Sequence, residues 1–237
     1  MDTLTHALSG ALLARATARS QAPEGSTSAK SAPGLRLRTR VALGFFAAAF
    51  PDTDIVLTWI SPVTYITQHR GLTHSWLMLP LWSLLLAWIL SRLWRDPRGV
   101  RPYLGVLALG IGIHILGDWI TSFGTMMLAP LSNERFALGT TFIIDLLFTG
   151  IILVGLLASA LWRGSRVPAL LGLVVLGAYV AFQWMQLQRA IEFGEQYAQS
   201  QAFSNYQVSA LPRPVSPFNW TVFIATDERY HVAHVNL

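Results

Sequence analysis

The chain has 237 residues, of which 53% are hydrophobic and only 12% charged, with a mean hydropathy of +0.46; a soluble domain carries about a quarter charged residues, so this is a membrane protein. The absence of cysteine excludes disulfides, thiolate metal sites and cysteine nucleophiles, leaving nitrogen and oxygen to hold any metal. The net charge of +5 does not point to nucleic acid, because twelve of the seventeen Lys and Arg residues fall in three short segments, 15–40, 92–101 and 163–166, a spacing that reports membrane topology.

In chain order, residues 3–15 place Leu4, Ala7, Leu8, Ala11 and Leu12 on one helical face and predict a short, re-entrant helix. An amino-terminal region that carries Asp2 and no basic residue argues against a signal peptide. Residues 20–34, rich in Ser, Ala, Gly and Pro, read as a flexible loop, and 41–60 as a span whose end is broken by Pro51 and two aspartates. The apolar runs 72–94, 102–121, 141–162 and 167–187 each reach the ~20 residues that a bilayer demands. The expected fold is therefore all-α: a polytopic membrane helical bundle of five to six membrane segments over residues 1–187. Residues 188–237 read as an extramembrane tail, helical from Gln188 to Gln199 and then a β-hairpin of NWTVFIAT and YHVAHV. His231 and His234, three apart in a strand, face opposite ways and read as ordinary packing or surface residues.

The positive-inside rule puts the three basic segments in the cytoplasm. His6, Asp52, Asp54, His69, His74, His114 and Asp118 then all fall at the outer membrane face, with the tail on the same side. Ionisable groups at membrane depth are costly and mark functional sites. Neutral imidazole with carboxylate suits zinc, manganese or iron, so a buried metal site is the leading expectation.

Each motif has its own logic. HILGD sets His114 and Asp118 four apart on one helical face, which fits a shared ion and equally a hydrogen-bonded structural pair. FPDTDI offers two carboxylates, one to ligate and one to orient a ligand or act as base, although Asp is also common in turns. In HRGLTHS, Gly71 permits a sharp helix entry between His69 and His74. Arg70 there suits an anionic substrate such as a phosphate ester, or an anchor to lipid head groups. Asp145 in FIIDLLF starts another span and is a second candidate base, and Arg135 a candidate substrate contact. No HExxH, GxSxG or Walker loop is present, so water is the expected nucleophile.

From MDTLTHALSGALLA through FPDTDI, HRGLTHS and HILGDWITSFGT to LAPLSNERFALG and FIID, roughly the first 150 residues, the chain resembles a bacterial family of inner-membrane, metal-dependent hydrolases. The resemblance implies a metal at His6, Asp52, His69 or His74, His114 and Asp118. A more distant similarity is to zinc-dependent phospholipase C, with departures: no amino-terminal tryptophan and no later HxxxE. The expected cofactor is one or two divalent ions, zinc with manganese as the alternative. The expected partners are bilayer lipid and a lipid or phosphoester substrate, with no nucleic acid; the oligomeric state is left open. The expected activity is hydrolysis, with Asp54 or Asp145 as base and Arg70 or Arg135 binding substrate. The competing readings are a metal or proton transporter and a membrane protein with a purely structural metal.

Overall fold

The computed structural model describes residues 1–18, 35–162 and 164–237. The loop expected over 20–34 lies outside the described residues. Helices come first: α1 (Thr3–Ala16), α2 (Leu37–Ala49) continued by a 3₁₀ segment (Phe50–Trp59), α3 (Pro62–Gln68), a 3₁₀ turn (Leu72–His74), α4 (Leu79–Leu93), α5 (Arg101–Trp119), α6 (Leu146–Leu161) and α7 (Val167–Ser200). Strands β1 (Tyr206–Pro212), β2 (Asn219–Thr226) and β3 (Tyr230–Asn236) follow.

Helix α1 is the centre of the bundle, not a helix with one apolar face. It packs against α2, α5, α6 and α7. Polar His6 and Ser9 are buried, whereas Leu4, expected on the apolar face, is 59% exposed. Small residues explain this. A Cβ on Gly10 would stand 2.2 Å from the Gly44 carbonyl oxygen, and one on Gly110 would stand 2.6 Å from the Ala47 Cβ. Helices α1, α2 and α5 therefore meet backbone to backbone, the packing that stabilises helices in lipid. Asp2 caps α1 by accepting from the Thr5 N–H.

Helix α2 ends where Pro51 predicts a break, because proline has no N–H for the α-helical ladder and the chain continues in the tighter 3₁₀ form. Five to six membrane segments are not supported. Among the described residues three helices are long and apolar enough to cross a bilayer: Leu37–Trp59, Arg101–Trp119 and Val167–Ser200. A fourth span results if Pro62–His74 and Leu79–Leu93, bent by 80°, count as one. The expected span 72–94 begins as a 3₁₀ turn and loop, so its helix starts only at Leu79. The expected span 141–162 is shortened by the Asp145 cap to the 16 residues of α6, about 24 Å of helix. The helix of 3–15 is real but only 14 residues long.

The basic ends of the helices meet at the pole opposite His6. Arg15 donates to the Ser165 carbonyl, and Arg40 donates to the carbonyl oxygen of Ala14 and the hydroxyl of Thr17. At the other end of the chain α7 runs through residue 187 without a break, for 34 residues or about 51 Å, well beyond the ~30 Å hydrocarbon layer. Its stripe of Leu187, Ala190 and Ala198 packs on Ala210, Trp220, Val222 and Ile224 of an antiparallel sheet ordered β1-β2-β3. A Cβ at Gly194 would lie 2.6 Å from Val208, so the sheet needs glycine there. The expected hairpin forms, and β1 adds a third strand. His231 packs on Phe203 and His234 lies 3.1 Å from the Thr221 hydroxyl; neither joins the other histidines.

Candidate metal centre

Four side chains from three parts of the chain converge where the seam of α1, α2 and α5 ends. Asp52 comes from the 3₁₀ segment after α2, His74 from the turn before α4, and His114 and Asp118 from successive turns of α5. One ligand atom from each lies within 4.8 Å of all the others. His114 Nε2 is 2.9 Å from His74 Nε2 and 3.4 Å from Asp118 Oδ2, and His74 Nε2 is 3.2 Å from the same oxygen. Asp52 Oδ1 lies 3.5 Å from His114 Nε2 and 3.7 Å from His74 Nε2.

Proton placement on His114 follows from its partner. Its Nδ1 lies 2.6 Å from the Ala48 carbonyl oxygen, which only accepts, so Nδ1 carries the proton and Nε2 turns a lone pair to the centre. That lone pair meets a second imidazole nitrogen and two carboxylate oxygens, and Asp118 Oδ2 is buried without a hydrogen-bond partner. Two nitrogens and two oxygens converging in a buried site match the donor set of a divalent cation, and the four residues could hold one. The Ala48 carbonyl and Asp52 are delivered by the same helix end, so the break at Pro51 shapes both a ligand and the group that orients another.

The other Asp118 oxygen is saturated. Oδ1 accepts from His6 Nε2 at 2.9 Å, from the Arg70 guanidinium at 3.0 Å and from the Met1 amine. His6 stacks on His114 with ring centroids 3.7 Å apart, and its ring lies against Gly117, where a Cβ would come within 2.9 Å. His6 thus touches the centre through Asp118 and is not among the four converging residues. His69 also stands outside them: its Nδ1 lies 3.0 Å from Asp54, which further accepts from the Arg70 N–H. Of the two histidines of HRGLTHS, the structure brings His74 to the cluster and His69 to Asp54.

Arg70 is 4% exposed, and its guanidinium donates to Thr121 at 2.7 Å besides Asp118. The left-handed residue of the turn is Arg70 itself (φ 61°), rather than Gly71, whose role is spatial because a Cβ there would strike the Gln68 carbonyl at 2.7 Å. Such a backbone costs energy for a non-glycine residue. Arg135 spans the carbonyls of Gly124, Thr67 and His69 and covers Phe123, tying α3 to the loop after α5. Asp145 is elsewhere: it caps α6 through the Phe148 N–H and accepts from Tyr179 and Gln183. Replacing Asp145 with alanine is expected to cost about 1–2 kcal/mol of stability, the worth of a helix cap. A lower thermal midpoint with unchanged metal content would check this. Sequence reasoning missed Thr121 and the Ala48 carbonyl. Thr121 follows Asp118 by one helical turn, a readable signal; a backbone carbonyl leaves none.

The family model of the YdjM inner membrane protein matches residues 1–190 of this chain. The chain belongs to the YdjM inner membrane protein family. Among curated proteins, the "Uncharacterized protein YfhP" of Bacillus subtilis (strain 168) is 30% identical over 142 residues, which is 58% of this chain and 42% of that relative's length. The chain thus matches less than half of that relative. No solved structure matches, so the distant likeness to phospholipase C rests on motifs alone. The YdjM match covers α1 to α6 and most of α7, and with them all four converging residues, and it agrees with an inner-membrane protein whose apolar helices meet the bilayer.

Proposed function

We propose that this protein is a membrane-bound, metal-dependent hydrolase, its cation held by Asp52, His74, His114 and Asp118 and its substrate a phosphoester, lipid or lipid-linked. The observation that carries the reading is the buried convergence of two imidazoles and two carboxylates, with Asp118 Oδ2 making no hydrogen bond while lying 3.2 and 3.4 Å from the two imidazole nitrogens. A divalent ion there supplies an activated water and stabilises charge on a phosphoryl oxygen; zinc fits the donors, and manganese is the alternative.

The chain's own residues divide the remaining work. Asp118 binds through one oxygen while His6 and Arg70 hold the other, fixing its orientation. Asp54, bonded to His69 at 3.0 Å, is our candidate base, with the partly exposed His69 beside it as the outlet for a proton to solvent. Arg70 acts as a positioning residue for Asp118, and Arg135 as the support of α3. Asp52 is 16% exposed, which supports an open coordination edge rather than the closed shell of a structural metal. The arginines at the opposite pole support a site facing the periplasm, with residues 188–237 on that side. Metal-loaded protein is expected to cleave a chromogenic phosphodiester or monoester, to lose that activity to a chelator and to regain it with zinc or manganese. Equal turnover by wild type and His114→Ala would sink the reading.

A further inference from the structure

Asp52 of the cluster and His69, which pairs with Asp54 beside it, both reach the surface and bracket a segment that the hydrolase reading does not use. Asp52, 16% exposed, precedes it, and His69, 18% exposed, follows it. Between them, from Ile55 to Gln68, there is no charged residue. Val56, Trp59, Ile60, Val63 and Ile66 recur at helical spacing, and all are exposed: Trp59 at 87%, Ile60 at 75% and Val63 at 69%. In water a stripe of this kind is a liability; it calls for an apolar cover.

What covers it follows from its place in the fold. The stripe begins at the end of the span Leu37–Trp59 and continues into Pro62–His74, which is bent by 80° from Leu79–Leu93. With the apolar helix Leu79–Leu93 upright in the bilayer, a short helix at 80° to it would lie along the bilayer plane, with its apolar side toward the acyl chains and its tryptophan at head-group level. The polar backbone at its far end is satisfied from within, since Arg135 takes up the Thr67 and His69 carbonyls, as the low-dielectric side of an interface requires. On its inner side Tyr65 lies tilted against His69, 4.7 Å between centroids, so the plate borders the Asp54–His69 pair beside the centre.

We propose that residues 55–66 form an uncharged plate seated in the head-group layer of the bilayer, which holds the metal centre at that depth and makes its substrate a membrane lipid with a phosphoester head group rather than a solute from bulk water. The choice of substrate rests on the hydrolase reading; the seating of the plate does not.

Because the chain has no cysteine, single cysteines report cleanly. Trp59→Cys, Val63→Cys and, as an exposed control on the tail, Glu228→Cys are labelled with an environment-sensitive fluorophore in vesicles of phosphatidylcholine and phosphatidylglycerol. Positions 59 and 63 are expected to be quenched by lipid carrying a nitroxide near the head group and shielded from aqueous iodide, with the reverse at 228. Iodide quenching at 59 and 63 equal to that at 228 would overturn the plate. For the substrate, a Trp59→Asp/Ile60→Asp variant is expected to cleave a long-chain phosphoester lipid in the vesicles roughly tenfold more slowly, while a dispersed short-chain analogue reacts as before. Equal loss on both substrates would overturn the substrate assignment. Absence of cleavage of either by the wild type would instead remove the hydrolase reading, leaving the quenching result to stand for the plate.

Discussion

Asp118→Ala is expected to lose the metal and to be the most destabilising single change in the centre. The carboxylate ties α5 to α1 through His6, to the turn before α4 through His74, and to Arg70. Removing it strands a guanidinium that is 4% exposed and whose Nε already lacks a partner. Breaking a buried pair from one side costs about 3–5 kcal/mol, because the remaining charge has no water to return to. Asp118→Asn separates the two effects: it keeps the shape and a carbonyl acceptor for Arg70, so it should lose metal with a smaller loss of stability. Thermal midpoints by fluorescence-detected size exclusion, read beside metal content, check both. An Asp118→Ala protein that melts with the wild type and keeps its metal would show that Asp118 is neither ligand nor hub.

Gly44→Leu is expected to unpack the bundle although Gly44 touches no candidate ligand. A Cβ there would stand 2.5 Å from both the Ala14 Cβ and the Gly10 carbonyl oxygen, and backbone cannot move aside as a side-chain tip can. Overpacking a core typically costs 1–3 kcal/mol, and here the helices themselves must separate, so about 3 kcal/mol or more is expected. Because α1 carries His6 and the α2 end carries Asp52 and the Ala48 carbonyl, metal content should fall together with stability. The control is Gly105→Leu on the neighbouring helix, where nothing lies within 4 Å of an added Cβ and leucine is the better helix former. It is expected to behave as wild type or slightly better; equal damage from both substitutions would contradict the close-packed seam.

Much of this site is legible in the sequence because its signals are local. The four-residue step from His114 to Asp118, the break at Pro51 and the polar motifs at the ends of apolar runs all survive into three dimensions. What is illegible depends on partners. Helix α1 has the composition of a weak amphipathic helix, and only the glycines of α2 and α5 opposite reveal that it is surrounded. His69 and His74 look equivalent in HRGLTHS until the left-handed Arg70 between them sends one toward Asp54 and the other toward His114. Asp145 looks like a site residue because it begins an apolar run, yet a carboxylate at that position is also what a helix start requires, and Tyr179 and Gln183, more than thirty residues later, complete its shell. Apolar length alone overstates the number of membrane segments for a similar reason, because it does not register where a cap or a 3₁₀ turn shortens the helix.

Metal content decides whether Asp52, His74, His114 and Asp118 hold a divalent cation. Elemental mass spectrometry of detergent-purified protein, expressed with zinc and manganese supplied, tests it most directly when wild type is set beside His74→Ala/His114→Ala with the same size-exclusion profile. Stoichiometric metal in the wild type and near-absence from the folded variant is the expected result. Equal trace metal in both would contradict it and leave the cluster a hydrogen-bonded tie between helices.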